Sequence, residues 1–359
     1  MRINWIGYYD ERDGYGRFSS RLVAALQRAG CDVTPLTSAQ INAPTWLHER
    51  WGVDWERLTI SCLPPFMVQQ LPGKCWLLSM TEGSRIPDKW AHAIADSGVE
   101  RVLVPCAHNA AAFRDSGVTV PISVVPGGTD PAEFPVLDAD RDIGKPYTFL
   151  TFADRGQRKG WMEVWDAFYL AFGGKTTGVQ DVRLIVKARA KSNTLANELI
   201  KHGTGLDRRI IYQVDDAADM ATVYAQADCL VLPSRSEGWG MPHREAAMMG
   251  LPVITQAYSD LADAGKWALT VDGGHMETIP QEDETCLGEW MVADKRQVAT
   301  RMRQCYDKPW AARQLGLRGA AWLRDNQTWQ HAAAVLVELI ESELRPNAAE
   351  AMPLDRSYV

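Results

Sequence analysis

The segment SEGWGMPHREAAMMGLPVI, residues 236–254, predicts a glycine loop between a buried strand and a helix. The apolar run DCLVLPS just before it ends in a proline and a serine and is typical of a short buried strand. Gly238 and Gly240 allow a sharp turn and a close approach of the backbone to a ligand, while Pro242 suits the first position of a helix. Gly250 is placed to end that helix, and LPVIT predicts the next strand. The segment is therefore a strand–loop–helix–strand unit.

Two glutamates, Glu237 and Glu245, lie eight positions apart in this unit. We expect Glu237 in the loop and Glu245 in the first helical turn, both facing one crevice. Free N–H groups at the start of a helix bind anions, and carboxylates beside them accept hydrogen bonds from sugar hydroxyls. The pattern favours a ligand with both phosphate and sugar parts. The alternative is that both glutamates are solvated charges, with Glu245 favoured by the helix dipole.

The composition indicates a globular protein of about two domains, because the chain has 359 residues of which 46% are hydrophobic. The net charge of −7 disfavours a broad nucleic-acid or membrane-binding surface. Neither a signal-peptide core nor a run of about 18 apolar residues is present, so we expect a cytoplasmic protein without an integral membrane segment. Seven cysteines without CxxC pairing predict buried thiols rather than disulfides or zinc ligands.

Strand and helix patterns alternate along the chain and predict an α/β protein with two parallel-sheet domains. Glycine loops follow strands in both halves, where ligands of such sheets bind, so we expect the domains to face each other across a cleft. A stretch rich in Gly, Pro and Asp separates the halves. The predicted parts are a first domain at 1–130, a linker at 131–146, a second domain at 147–325, a terminal helix at 326–345 and a loose tail at 346–359.

Four elements, in order, resemble the retaining glycosyltransferases of the large family four (group 1), which have the GT-B fold. They are DGYGRFSSRLVAAL, VVPGGTDPAEF, FADRGQRKGWMEVWDAF and DCLVLPSRSEGWGMPHREAAMMGLPVI, of which the last, with its E-x7-E spacing, is the most specific. The resemblance implies two Rossmann-like domains, with acceptor in the first and nucleotide-sugar donor in the second, and a final helix that crosses back to the first domain. It also implies a reaction that needs no metal and no cofactor besides the donor.

The resemblance assigns roles around the glycine loop. Glu245 is expected to bind the ribose hydroxyls of the donor, and Glu237 is expected to hold hydroxyls of the transferred sugar. The backbone N–H groups expected near the sugar and the distal phosphate are those of Gly238, Trp239, Gly240 and Met241.

Arg155 and Lys159 follow the strand YTFLTFA and form a second candidate group. A departing diphosphate gains negative charge, which two fixed cations stabilise. We place Lys159 in an open cleft and expect Arg158, between the two, to face solvent. The alternative is an ordinary charged loop. No DxD-type cluster is placed for a metal.

Four further residues complete the predicted donor site. Gly14 and Gly16 lie between the first strand and helix, where the family's loop contacts donor phosphate and acceptor, although a tight turn without a ligand is the alternative. Lys187 and Asp215 end strands and are placed to approach the nucleotide.

The resemblance also implies a place for a catalytic residue in the first domain. Many family members carry a histidine at the end of a central strand of the first domain, and here Glu82 occupies that place, with a surface carboxylate as the alternative. His48, His92 and His108 are weaker candidates, and the last two fall in helix patterns.

The sequence thus predicts a retaining transfer of a sugar from a nucleotide diphosphate donor to an acceptor hydroxyl. The acceptor is a glycan, a lipid, a small molecule or, least favoured, a nucleic acid. The alternatives are a glycosyltransferase that modifies a nucleic-acid base, a GT-B nucleotide-sugar epimerase or phosphorylase, and a binding protein without turnover. Arginines that would line a nucleic-acid groove are Arg12, Arg17, Arg50, Arg57 and Arg85.

Overall fold

The computed structural model describes residues 1–41, 48, 52–137, 145–153, 156–175, 177–190, 207–280 and 286–344. Outside these ranges lie residues 138–144 of the predicted linker, the predicted loose tail and the segment SNTLANELIKHG, for which the sequence pattern predicts a helix. Within them the chain forms two sheets of six parallel strands and one antiparallel hairpin. The predicted α/β class with two parallel-sheet domains is confirmed.

The first domain is a parallel sheet with strand order β2-β1-β3-β4-β5-β6. Its strands are β1 Arg2–Gly7, β2 Asp32–Thr37, β3 Leu58–Cys62, β4 Cys75–Leu78, β5 Arg101–Val104 and β6 Ile122–Val124. Its helices are α1 Gly14–Arg28, α2 Ser38–Ile41, α3 Asp88–Asp96 and α4 Ala107–Asp115. Strand β3 has no counterpart in the sequence interpretation, yet it is fully buried between β1 and β4.

The second domain is a parallel sheet with strand order β12-β11-β10-β7-β8-β9. Its strands are β7 Tyr147–Phe152, β8 Val182–Ala188, β9 Ile210–Val214, β10 Cys229–Val231, β11 Val253–Gln256 and β12 Leu269–Val271, followed by the hairpin of β13 His275–Thr278 and β14 Glu289–Val292. Its helices are α5 Trp161–Phe172, α6 Met220–Tyr224, α7 Met241–Met248, α8 Lys295–Asp307 and α9 Pro309–Asn326. The strand order reverses between β7 and β10, the switch point at which open parallel sheets bind ligands.

The last helix, α10 Trp329–Leu344, packs on α1 rather than on the second domain. Trp329 lies edge-on to Phe18, with ring centroids 5.1 Å apart. The chain crosses between the domains twice, and the crossings touch where the Thr129 N–H donates to the Gln327 carbonyl at 3.0 Å. A side chain at Gly128 would collide with the backbone of Trp329, so this close approach requires glycine.

Six of the seven cysteines are buried and none of the seven forms a disulfide, as predicted. In the described ranges, no helix combines the length and the apolar character needed to cross a membrane.

Candidate functional site

Lys159 and Glu237 meet at the switch point of the second sheet. Lys159 ends the 3₁₀ turn Gly156–Lys159 that follows β7, and Glu237 lies in the loop that follows β10. The Lys159 Nζ donates to Oε1 of Glu237 at 2.6 Å. Lys159 is only 8% exposed, so its placement in an open cleft is wrong. Arg155, its predicted partner, lies outside the described residues.

Arg158 does not face solvent, contrary to the sequence interpretation. It is 4% exposed, and its guanidinium donates to Oε2 of Glu237 at 2.8 Å and to the Ser236 carbonyl at 2.9 Å. The cause is Gly160, which has a φ of 67° and lies so close to the Pro233 carbonyl that a Cβ would meet it at 2.3 Å. This tight turn directs the side chains of both Arg158 and Lys159 toward the glycine loop.

The two cations keep Glu237 ionised. Burial of this carboxyl opposes its charge, but the positive charges of Arg158 and Lys159 outweigh burial and hold its pKa well below the usual range. The site therefore holds one carboxylate between two cations, with both carboxylate oxygens engaged.

Glu82 joins this group from the first domain. It follows β4, and its Oε1 lies 3.0 Å from the Arg158 guanidinium. The backbone of Arg85, three residues further on, exchanges two hydrogen bonds with that of Leu287 just before β14, so a backbone bridge also joins the domains near this contact. Glu82 is thus a cleft residue whose side chain is 36% exposed, and Arg158 links it to Glu237.

The weaker histidine candidates occupy three different places. His92 is exposed on α3, and His48 is buried with its Nε2 3.0 Å from the Gln40 carbonyl. His108 lies at the domain boundary, 3.2 Å from the Gly83 carbonyl and edge-on to Tyr258. Burial lowers the pKa of His108.

Glu245 forms a separate group on α7. The helix begins at Met241 rather than at Pro242, so Glu245 lies in its second turn and not in the first. The Tyr224 hydroxyl donates to one Glu245 oxygen at 2.6 Å, and the Arg17 guanidinium of the first domain lies 3.5 Å from the other. Burial raises the pKa of Glu245, although Arg17 and Tyr224 oppose the shift.

Two of the backbone N–H groups at the glycine loop donate hydrogen bonds within the protein. The Gly240 N–H donates to the Asp260 carboxylate and the Met241 N–H to the Trp239 carbonyl, each at 2.7 Å. The amides of Gly240 and Met241 thus have acceptors within the protein, and the expected place of the four loop amides near the sugar and the distal phosphate stays a prediction. The amides of Gly238 and Trp239 have no acceptor among the residues that the structure covers.

The first turn of α1 faces this region from the first domain. It contains Gly14 and Gly16, so their placement between the first strand and the helix is wrong, because the helix begins at Gly14. The Asp13 carboxylate caps the helix by accepting hydrogen bonds from the amides of Tyr15 and Gly16. A Cβ at Gly16 would collide with the Asp10 carbonyl, so this glycine is needed for the turn itself. A Cβ at Gly14 would lie 3.8 Å from the Met241 side chain, which places Gly14 opposite the glycine loop.

Lys187 and Asp215 are brought together at the ends of β8 and β9. Their side chains form an ion pair of 3.2 Å, and Lys187 also donates to the carbonyls of Ala188 and Asp215. Lys187 is buried, whereas the Asp215 side chain is 65% exposed. The lysine is thus held by its neighbours, and the aspartate is open to solvent.

Four further residues contact the predicted site residues: Arg17, Tyr224, Arg244 and Asp260. Among the sequence candidates, Arg17 was named only for a nucleic-acid groove, and the other three were not named. Asp260 offers a recoverable signal, because it follows β11 at the same edge of the sheet as the glycine loop. Across the described ranges, no three His, Cys, Asp or Glu residues are grouped so that they could hold a metal ion.

Comparison with known proteins identifies one family model and two curated relatives. Residues 151–305 match the family described as glycosyl transferases group 1. A D-inositol 3-phosphate glycosyltransferase of Pseudarthrobacter chlorophenolicus is 27% identical over 75% of this chain and 60% of its own length. A mannosylfructose-phosphate synthase of Agrobacterium fabrum is 26% identical over 61% of this chain and 47% of its own length. The matched region thus spans less than two thirds of either curated relative.

Solved structures share the whole architecture. The Anabaena protein HepE, in complex with UDP and glucose, superposes with a TM-score of 0.69 at 13% identity, covering 95% of this chain and 100% of its own. Sucrose-phosphate synthase of Thermosynechococcus elongatus gives a TM-score of 0.70 at 16% identity, covering 96% and 99%. The GT-B fold and the resemblance to group 1 glycosyltransferases are confirmed.

Proposed function

We propose that this protein is a retaining glycosyltransferase that moves a sugar from a nucleoside diphosphate to an acceptor hydroxyl. The observation that carries the proposal is the Lys159–Glu237 ion pair, reinforced by Arg158, at the switch point of the second sheet. A carboxylate suited to sugar hydroxyls and cations suited to a diphosphate stand side by side there. The first domain, which contributes Glu82, supplies the acceptor side.

The chemistry divides among these residues. As the bond between the anomeric carbon and the diphosphate oxygen breaks, negative charge grows on that oxygen, and Lys159 and Arg158 stabilise it. The acceptor oxygen bonds to the same face of the anomeric carbon, and its proton passes to the departing phosphate oxygen. Glu237 orients the sugar, and Glu245 accepts hydrogen bonds from the ribose. Two protein cations supply the charge that a metal ion would otherwise provide, so the proposed reaction is metal-independent.

Two observations guide the choice of the donor to test and the choice between acceptor classes. HepE was solved with UDP and glucose, so UDP-glucose is the first donor to test. Of the five arginines named for a nucleic-acid groove, Arg12, Arg17 and Arg57 pair with carboxylates, which disfavours a nucleic-acid acceptor. Arg85 is exposed, and Arg50 lies outside the described residues.

The test is donor turnover with product analysis by proton NMR. The protein is incubated with UDP-glucose, or with the donor that it binds best, and with a panel of sugar, lipid and small-molecule acceptors. Retention predicts a product with the anomeric configuration of the donor. A product of inverted configuration would overturn the retaining mechanism. An altered sugar nucleotide formed without acceptor would favour the epimerase alternative.

A further inference from the structure

Arg244 and Asp260 form a buried ion pair directly beneath the glycine loop. The Arg244 guanidinium lies 2.7 Å from the Asp260 carboxylate, and the two side chains are 1% and 0% exposed. Buried ion pairs cost desolvation energy and are weak stabilisers compared with apolar packing. The loop is therefore anchored by charged groups where an apolar contact would serve stability equally well.

Both Arg244 and Asp260 contact residues of the glycine loop. Asp260 accepts the Gly240 N–H, as described above, and the Arg244 guanidinium lies 3.7 Å above the centre of the Trp239 ring. The Trp239 indole is buried and packs with Phe18 in the core of the first domain. The pair thus fixes the backbone at Gly240 and, through Trp239, the contact of the loop with the opposite domain.

Arg244 also reaches the point where the chain crosses between the domains. Its Nε donates to the side-chain carbonyl of Gln327 at 2.9 Å, and the backbone carbonyl of Gln327 accepts the Thr129 N–H of the other crossing. A Cβ at Gly127 would lie 2.5 Å from the Trp239 indole nitrogen, so the first crossing is shaped around that ring. One guanidinium therefore connects the donor loop to both crossings.

We propose that Arg244 and Asp260 are positioning residues that hold the glycine loop against the interdomain crossings, so that Glu237 and the amides of Gly238 and Trp239 face the donor. The inference rests on the proposed function and adds to it. Neither residue contacts Lys159 or the carboxylate of Glu237 directly, and both act through the loop backbone and Trp239.

The chain offers a matched control in Arg209 and Asp207. This pair lies in the same domain with a distance of 2.8 Å and side chains 2% and 1% exposed. Arg209 donates to the carbonyls of Phe172, Gly173 and Val179 at the C-terminal end of α5, whereas the glycine loop contacts the turn before its N-terminal end. Its chemistry and burial equal those of Arg244–Asp260, but it holds no part of the glycine loop.

The experiment compares Asp260→Asn with Asp207→Asn in the full-length protein. Both variants lower the melting temperature. Only Asp260→Asn lowers kcat, by about tenfold to a hundredfold, because a displaced loop misplaces the groups that act on the donor. Amide hydrogen exchange in the segment 236–242 also quickens in Asp260→Asn and stays unchanged in Asp207→Asn. A structural role alone would change stability in both variants and would leave kcat and loop exchange unchanged.

Arg244→Lys serves as the second variant if Asp260→Asn does not fold. It keeps the charge but loses the planar fork, so kcat falls and loop exchange quickens again. Wild-type kcat and wild-type loop exchange in the folded variant would overturn the inference. If the wild type turns over no donor, the proposed function fails, and unchanged loop exchange in the Asp260 variant would separately overturn the anchoring.

Discussion

The Lys159 Nζ lies 2.6 Å from a Glu237 oxygen, although 78 residues separate the two in the chain. They meet because β7 and β10 are neighbours in the sheet, and each residue follows the carboxyl end of its strand. Their contact joins the predicted leaving-group cation to the predicted sugar-binding carboxylate. A substitution of either residue therefore alters the environment of the other, so the effects of the two substitutions on activity will not be additive.

Lys159→Ala is expected to lower kcat by about a hundredfold, the loss seen when one preorganised charge-stabilising group is removed. The donor KM rises less, because Arg158 and the loop amides remain. Steady-state kinetics check this, with Lys295→Ala as the control, since Lys295 forms an exposed ion pair with Asp166. Lys159 is buried against Glu237, so its removal also lowers the melting temperature, and rates are compared well below it. A near-normal kcat would make Lys159 a structural partner only.

Glu245→Gln is expected to weaken binding of the nucleoside diphosphate about tenfold, because hydrogen bonds to a charged group contribute about 1.5–3 kcal/mol each. Calorimetry with UDP measures this effect. Tyr224→Phe is the control, since it removes the hydroxyl that donates to Glu245 but keeps the carboxylate. Equal affinity in Glu245→Gln and in the wild type would exclude the ribose role.

Transfer is expected to continue in the presence of EDTA, because Arg158 and Lys159 supply the positive charge for the departing diphosphate. Initial rates with and without chelator give the answer. Loss of activity that Mg²⁺ or Mn²⁺ restores would refute metal independence.

His243 is expected to make the fold sensitive to acid. It is fully buried, and burial lowers its pKa from 6.5 to about 4. Below pH 6.5 the His243 imidazole is protonated in the unfolded chain but stays neutral in the folded protein. The free energy of unfolding therefore falls on acidification from pH 6.5 toward pH 4. Between pH 7 and pH 5 the loss due to this group is about 1–2 kcal/mol.

His243→Gln isolates that contribution. It keeps a donor toward the Leu232 carbonyl, which Thr255 also satisfies. Urea unfolding at pH 7 and pH 5 should show a smaller loss in the variant than in the wild type. The nearby Asp260 has its pKa raised by burial to about 6 and acts in the opposite direction in both proteins. Equal losses in the two proteins would contradict the assignment.

The glycine unit was predictable because its signals are local. Gly250 has a φ of 79° where the helix ends, and Glu237 lies in the loop, as the residue pattern indicates. The two α/β halves were predictable for the same reason. Strand β3 was missed although its five residues, LTISC, alternate between apolar and polar as in a half-buried strand. Its full burial was not predictable from that pattern, because it comes from the neighbouring strands β1 and β4.

The direction of loop side chains was not predictable, because it depends on contacts between distant segments. Arg158 turns inward since Gly160 packs against Pro233, far along the chain. Arg17 lies near Glu245 only after the two domains meet, and a sequence pattern within either domain carries no sign of that contact. The contacts of Arg244 were not predictable for the same reason, because its partners Asp260 and Gln327 belong to other elements.

The central claim, that the cleft around Glu237 and Lys159 binds a nucleoside diphosphate sugar, is tested most directly by thermal shift. Wild type and Glu237→Gln are heated with UDP-, GDP-, ADP- and TDP-sugars, because a ligand that binds only the folded state raises the melting temperature. We predict that one nucleotide class raises the melting temperature of the wild type and that its sugar form does so less in Glu237→Gln. No shift with any nucleotide sugar, or equal shifts in both proteins, would contradict the account.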